Sequence, residues 1–241
     1  QNIPKWPAGA SISFEHESLI SDFKMTAKHY LSRAQISSRW DINGGISKLY
    51  LSYKEANTSG MYYYFPVTFG TGKNETACYF YPSLPSKATK DIPASVFPNL
   101  NSNRIKFDFN GNVTIKGIKA ENWTRGYGTS MYDAYNNVYV HYKEYSGKME
   151  PVLVQAEYKF VMSSWNVPGS KIWAHTKKVF NDYQPCEPDP ELWERPKNVE
   201  CKVVDADVAE YMIYLLATYM GLPTDSSFNE LFLNETYYIG D

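Results

Sequence analysis

Segments in which apolar and polar residues alternate one by one fill the first four-fifths of this sequence. Between Asp22 and Ser32 the odd positions carry Phe23, Met25, Ala27, His29 and Leu31, and mostly polar residues stand between them. A period of two is produced by β-strands that bury one face. Short turns join consecutive segments, whereas parallel strands need long crossovers. The alternation therefore predicts a mainly β chain with antiparallel pairing.

The alternating segments predict eleven strands and the turns between them. Asn110-Gly111 is predicted to be a hairpin turn, because flanking Phe107, Phe109, Val113 and Ile115 alternate around it. Gly117 is predicted to mark a bulge, and 126–128 a glycine-rich loop. Residues 82–103 hold four prolines and no period, which predicts an ordered connector. The strands are predicted at 11–16, 22–32, 36–42, 46–54, 61–69, 77–81, 105–109, 113–123, 137–145, 151–160 and 171–182.

The C-terminal fifth changes to helical signals. Residues 189–193 predict a single helical turn with a proline early in it. Asp207 and Glu210 have the spacing of a capping box, and Gly221 and Pro223 end the apolar stripe that follows. A shorter helix is predicted from Ser227. We therefore expect a β domain over 1–201 and a helical extension over 202–241, packed on the same domain.

Composition limits the partners that the chain can take. The net charge of −2 gives no basic surplus for nucleic acid or an anionic membrane. No apolar run reaches the roughly 18 residues that a membrane-spanning helix needs, so no transmembrane segment is predicted. Aromatic residues make up 16%, with 21 Tyr and 6 Trp. Aromatic residues favour strands, and they also line apolar pockets, so both interpretations stay open.

Three features together predict a secreted, extracellular protein. The chain begins at Gln1 rather than at Met, which suggests a processed N-terminus. Its three cysteines predict one disulfide with a leftover thiol, or an intermolecular bond. A cytosolic protein with accidental sequons is the alternative. The sequons that predict glycosylation lie at Asn57, Asn74, Asn112, Asn122 and Asn234.

Motifs that carry covalent chemistry or bind metal were not found in the sequence. The four histidines are scattered, and neither a metal-ligand spacing nor a nucleophile elbow is present. Gly70–Lys73 fits a hairpin better than a phosphate loop, and 108–112 fits a hairpin better than a calcium loop. We therefore predict no enzyme activity, no catalytic residue and no metal site. His16 and His29 fall on apolar strand faces, either as hydrogen-bonded core residues or as a polar contact for a ligand.

Several short stretches resemble the ependymin-related family. They are 44–54, Gly60-Met-Tyr-Tyr-Tyr, Asn74-Glu-Thr-Ala-Cys78, Phe180-Asn-Asp-Tyr and Asp189-Pro-Glu-Leu-Trp-x-x-Pro196 with Cys201 after it. The same arrangement, with Arg39-Trp-Asp41, is similar to the LolA-like domain that precedes the protease in counting-factor-associated protein D. The resemblance covers roughly residues 10–201. A second cysteine pair of the family is missing, and the pattern does not explain 202–241.

The resemblance implies two stacked antiparallel sheets that form a curved half-barrel around a deep apolar pocket. It also implies a Cys78–Cys201 disulfide that leaves Cys186 spare, and a homo- or hetero-dimer with a related chain. The strand faces expected to contact a ligand carry Met25, His29, Trp40, Leu49, Leu51, Tyr63, Phe65, Phe107, Val154 and Tyr158.

These observations predict a secreted, non-enzymatic carrier of a hydrophobic small molecule. Burial of apolar area at roughly 25 cal/mol per Å² would supply the affinity. The ligand is expected to be a fatty acid, another lipid or, from the aromatic content, a carotenoid-like polyene. One alternative is an extracellular matrix or cell-surface interaction module whose core is filled by its own side chains. Another is a processed, non-catalytic prodomain of a cysteine protease.

Overall fold

A computed structural model describes residues 2–52, 60–68, 75–82, 96–98, 100, 106–128, 132–163, 170–194, 197 and 199–203 of the chain. Its strands are β1 (Gly9–Ser18), β2 (Lys24–Ser32), β3 (Ser37–Ile42), β4 (Ser47–Ser52), β5 (Gly60–Thr68), β6 (Glu75–Pro82), β7 (Asp108–Ile115), β8 (Ile118–Gly128), β9 (Tyr132–Tyr145), β10 (Lys148–Ser163), β11 (Ser170–Gln184) and β12 (Lys202–Val203). Two short 3-10 turns cover Asn43–Gly45 and Pro190–Trp193.

The strands confirm the predicted mainly β, antiparallel fold class. They hydrogen-bond in the order β12-β6-β5-β4-β3-β2-β1-β11-β10-β9-β8-β7, as one 12-stranded sheet rather than the two that were expected. Each pairing from β2 to β6 and from β7 to β11 is antiparallel. The short strand β12 was not predicted, and it pairs parallel with β6.

The chain divides into two compact units. The first unit comprises Gln1–Pro7, Ser13–Met25 and Phe97–Tyr183, and the second comprises Ala8–Ile12, Thr26–Val96 and Gln184–Asp241. The predicted helices after residue 206 lie outside the described residues, so the predicted extension over 202–241 stays a prediction. No helix in the described part of the chain is long and apolar enough to cross a bilayer.

Alternating burial gives the first unit an inner and an outer face. On β11 the even-numbered Thr176, Lys178 and Phe180 are buried, whereas their odd-numbered neighbours are at least partly exposed. Strand register then places Ala156, Val138 and Trp123 in one row with Lys178 across β10, β9 and β8. We call this buried side the inner face of the first unit. It also carries Phe14, His16, Glu121, Arg125, Asn136, Val140, Tyr142, Leu153, Tyr158 and Phe180.

The second unit is also built from rows of residues across paired strands. One row joins His29, Trp40 and Leu49, all of them fully buried. We call the side of the strands that carries this row the inner face of the second unit. The row on the opposite face runs Tyr30–Arg39–Tyr50–Tyr62–Phe80. Tyr50, Tyr62 and Cys78 form a buried cluster there, against which Tyr64, Phe80, Val199 and Cys201 pack. The segment before β12 therefore covers the opposite face rather than the inner one.

The predicted turn at Asn110-Gly111 is wrong. Strand β7 runs through it, and the register shift between Phe109 and Asn112 identifies a bulge. The hairpin turn lies instead at Lys116-Gly117, where the φ angles are 49° and 83°. Asn-Gly suits both structures, because each needs a positive φ, and Gly111 has a φ of 97° within the bulge. The predicted loop at 126–128 is also wrong, because β8 continues to Gly128.

The single helical turn near the C-terminus is confirmed as the 3-10 turn Pro190–Trp193. The Asp189 side chain accepts a hydrogen bond of 2.9 Å from the Glu191 backbone N–H. Buried Arg39 fixes the turn from β3, because its Nη1 donates to the Leu192 carbonyl at 2.9 Å. Its Nε and Nη2 donate to Asp41 at 2.7 and 2.8 Å. Burial disfavours its charge, but the Asp41 hydrogen bonds and charge prevail, so the pKa of Arg39 is raised.

Candidate functional site

Seven of the ten predicted ligand contacts lie on strands β2–β5. Trp40 stacks on His29 with ring centroids 4.4 Å apart, and Leu49 is opposite Trp40 in register. Met25 is buried on β2 in phase with His29. In backbone position, Leu51 is two residues beyond Leu49 on β4, Tyr63 on β5 pairs with Leu49, and Phe65 is two residues beyond Tyr63.

His29 has the environment of a hydrogen-bonded core histidine. Its side chain is fully buried, and Nδ1 lies 3.2 Å from the Arg39 backbone oxygen. A carbonyl oxygen only accepts, so Nδ1 carries the proton and donates. This contact agrees with the first predicted role, that of a hydrogen-bonded core residue. A role in contacting a ligand stays a prediction.

The three remaining predicted contacts belong, like Met25, to the first unit. Phe107 is buried just before β7, and its backbone N–H donates to the Leu100 carbonyl at 3.3 Å. Val154 is the extra residue of a bulge between Leu153 and Gln155, and it is buried. Tyr158 lies on the inner face, between Asn136 on β9 and Thr176 on β11. The ten predicted residues are thus divided between the two units.

Lys178 is a buried residue of the inner face that sequence reasoning missed. It is only 7% exposed, and its Nζ lies 5.8 Å from the centre of the Phe14 ring. Burial alone lowers the pKa of Lys178 to about 7. A sequence signal was present, because Lys178 stands in phase with the apolar Ile172, Ala174 and Phe180 on its predicted strand.

The first unit contains two further buried polar groups. Asn136 is 7% exposed, and its Nδ2 has no hydrogen-bond partner among the described residues. The hydroxyl of Tyr183 is also buried and unpartnered within the described part of the chain, and burial raises its pKa. Such groups on an apolar surface are typical of a site that orients a ligand.

Glu121 is a buried carboxylate at the edge of the inner face. It accepts hydrogen bonds from Trp123 Nε1 at 3.0 Å and from the Tyr142 hydroxyl at 3.4 Å. Burial, with the Glu121 charge and hydrogen bond, raises the pKa of Tyr142 to about 12. An open groove of about 620 Å³ runs past Glu121 and Tyr142. Because two donors already bond to Glu121, its carboxylate is engaged within the protein.

The cysteines follow the implied pairing. Cys78 and Cys201 form a disulfide, and Cys186 is free and exposed. Among the sequons, Asn112 is exposed on β7, whereas Asn122 on β8 is half-buried with its Oδ1 buried. The sequons at Asn57, Asn74 and Asn234 lie outside the described residues. Within the described ranges no three His, Cys, Asp or Glu side chains are grouped to hold a metal.

These features define a mainly β, antiparallel protein whose inner sheet faces combine apolar residues with buried polar groups. No protein-family model and no curated protein matches the chain.

Comparison with solved structures finds distant likenesses. An uncharacterized conserved protein from Thermus thermophilus is 11% identical, with a TM-score of 0.42 and coverage of 82% of this chain and 90% of that one. A LolA superfamily protein from Nitrosomonas europaea is 8% identical, with a TM-score of 0.28 and coverage of 80% of this chain and 92% of that one. A DUF1329 family protein from Desulfovibrio piger is 9% identical, with a TM-score of 0.25 and coverage of 78% of this chain and 90% of that one. The LolA name agrees with part of the predicted resemblance, ependymin is not among these names, and likenesses this distant carry no argument about function.

Proposed function

We propose that this protein is a non-enzymatic carrier that binds a hydrophobic small molecule on the inner face of its first unit. The observation that carries the proposal is the combination of apolar residues with buried polar groups that have no partner there. Asn136 Nδ2 lacks a partner among the described residues, and Lys178 has no ion pair among them. In a face that is only a filled core, such groups are expected to have hydrogen-bond partners within the protein.

The small residue Ala156 provides a way to test this site. It lies on the inner face between Lys178 and Val138 in register, so a larger side chain there would occupy the ligand's space. Ala156→Phe is expected to abolish saturable binding of a fluorescent polyene fatty acid, cis-parinaric acid. Glu157→Phe is the matched control, because Glu157 is the next residue and faces the other side of the strand.

The binding titration separates the competing functions. Native protein should bind the probe saturably, with a dissociation constant of roughly micromolar or tighter. If native protein binds none, and organic extraction yields no lipid, the carrier is excluded and an interaction module with a filled core is favoured. Equal binding by both variants, with circular dichroism showing both folded, would place the ligand elsewhere. Absorbance of native protein above the aromatic band would identify a carotenoid-like polyene as the ligand.

We also propose that the chain is secreted and glycosylated at Asn112. The exposed edge strand gives Asn112 room for a glycan, whereas the buried Oδ1 of Asn122 argues against modification there. Expression behind a secretion signal in eukaryotic cells, followed by glycopeptide mass spectrometry, should find Asn112 occupied and Asn122 bare. The reverse pattern would contradict the proposal. The dimer implied by the resemblance stays a prediction.

A further inference from the structure

Lys177 and Lys178 are adjacent on β11, but their surroundings are opposite. The Lys177 Nζ lies 2.7 Å from Glu17 Oε1, on the solvent side of the sheet. Lys178 faces inward, and among the described residues no carboxylate lies within ion-pairing distance of it. Lysine is rarely this buried unless it is paired. Among the described residues, a carboxylate therefore pairs with the half-buried cation and none pairs with the buried one.

The surroundings of Lys178 are apolar on the strands beside it. The ring of Phe14 on β1 lies against its ammonium group, and the ring centroids of Phe14 and Phe180 are 5.7 Å apart. Ala156 on β10 is opposite Lys178 in register. Among the described side chains, the titratable and charged groups on the same inner face are His16 on β1, Tyr158 on β10, Tyr142 on β9, and Glu121 and Arg125 on β8. Glu121, the carboxylate of this set, already accepts two hydrogen bonds.

We propose that Lys178 binds the carboxylate of an amphipathic ligand whose hydrocarbon chain lies along the inner face of the first unit. The inference rests on the proposed carrier function and names its substrate class, a long-chain carboxylic acid. Because the strand neighbours of Lys178 are apolar, an ammonium–carboxylate pair formed there would be shielded from water. A charge-assisted hydrogen bond of this kind adds both affinity and orientation.

The charge of Lys178 gives this inference a second signature. Burial lowers the pKa of the free ammonium group to about 7, so at pH 8 most Lys178 side chains are neutral before the ligand arrives. A bound carboxylate favours the charged form. Binding of the acid at pH 8 should therefore take up a proton from solution, whereas binding of the corresponding alcohol should not.

The experiment compares hexadecanoic acid, hexadecanol and hexadecyl phosphate as probes on native protein and three variants. Lys178→Met should weaken binding of the acid by about 10- to 100-fold and leave hexadecanol unchanged, because one charged hydrogen bond is lost. Lys178→Arg should restore part of the loss by keeping the charge. Lys177→Met is the matched control and should bind all three probes as native protein does. Calorimetry at pH 8 in two buffers of different ionisation enthalpy measures the proton uptake.

The possible results distinguish failure of the Lys178 role, of the carboxylate head group and of the carrier function. Equal affinity of native protein and Lys178→Met for the acid, or no proton uptake by native protein, overturns the role of Lys178 while the carrier function stands. Tighter binding of hexadecyl phosphate than of the acid overturns the carboxylate as the head group. Failure of native protein to bind any probe removes the carrier function itself.

Discussion

At the scale of single residues, Lys178 has the largest consequence for solution behaviour. The unfolded chain binds a proton at this side chain up to its ordinary pKa of 10.5, whereas the folded chain releases it above about 7. Between these values the unfolded state holds more protons, so stability rises with pH by at most about 1.4 kcal/mol per unit. Below pH 7 both states are protonated and the folded protein carries the full cost of the buried charge.

Denaturant unfolding between pH 7 and 9.5 measures this effect. The free energy of unfolding of native protein should rise over that range, and Lys178→Met should be more stable at pH 7 and lose the slope. Lys177→Met should keep it. The range ends before pH 10, because the raised pKa values of Tyr142 and Tyr183 lower stability above that point. A native profile that is flat, or equal to that of Lys178→Met, would show that Lys178 is solvated.

The residue scale also shows how far sequence reasoning reaches. Alternation predicted correctly that His16 and His29 would be buried, and both are at most 1% exposed. The same rule applied to Lys178 would have predicted its burial, but lysine is so rarely buried that its residue type outweighs its position in the apolar phase. The hydrogen-bond partner of His29, and the lack of one for Asn136 Nδ2 among the described residues, depend on strand register, which alternation within one strand does not determine.

At the scale of elements, the hairpin of β7 and β8 shows why turns were harder to place than strands. Both Asn110-Gly111 and Lys116-Gly117 contain residues with positive φ. Residue type alone favoured Asn110-Gly111 as the hairpin turn. The turn at the second lets Ile115 pair with Ile118 and Val113 with Ala120. Cross-strand pairing therefore determined the position of the turn. Asn110-Gly111, whose sequence favours a turn more strongly, forms the bulge instead.

This hairpin leads to a prediction about Lys116. The residue has a φ of 49°, which is unfavourable for most residues and tolerated by asparagine, and its side chain is exposed. Lys116→Asn should raise the free energy of unfolding by about 0.5–1 kcal/mol. Lys116→Val should lower it, because a β-branched side chain is strained at positive φ. Chemical denaturation of the three proteins measures both changes, and a stability order with Val above Asn would contradict the turn.

At the scale of the whole molecule, fold class was readable and sheet continuity was not. Alternation and short connections require antiparallel neighbours, which the pairings confirm. The return of β12 to pair parallel with β6 joins residues far apart in sequence, and a strand of two residues carries no readable period. The cysteines supplied the long-range information instead. The pairing implied by the resemblance places Cys201 beside β6, where β12 is found.

The Cys78–Cys201 disulfide closes a long covalent loop, with a sequence separation of 123. It anchors the segment that packs on Tyr50 and Tyr62 through Val199 and Cys201. Because a long loop restricts the unfolded chain strongly, Cys78→Ala/Cys201→Ala should lower the free energy of unfolding by about 2–5 kcal/mol.

Urea unfolding of the double variant beside native protein measures this loss. Cys186→Ala is the control, since Cys186 is exposed and free, and it should unfold at the native midpoint. Reducing agent should shift native protein and Cys186→Ala to the midpoint of the double variant and leave the double variant where it was. An unchanged midpoint in the double variant would mean that the packing of Val199 and the β12–β6 pairing hold this segment without the covalent bond.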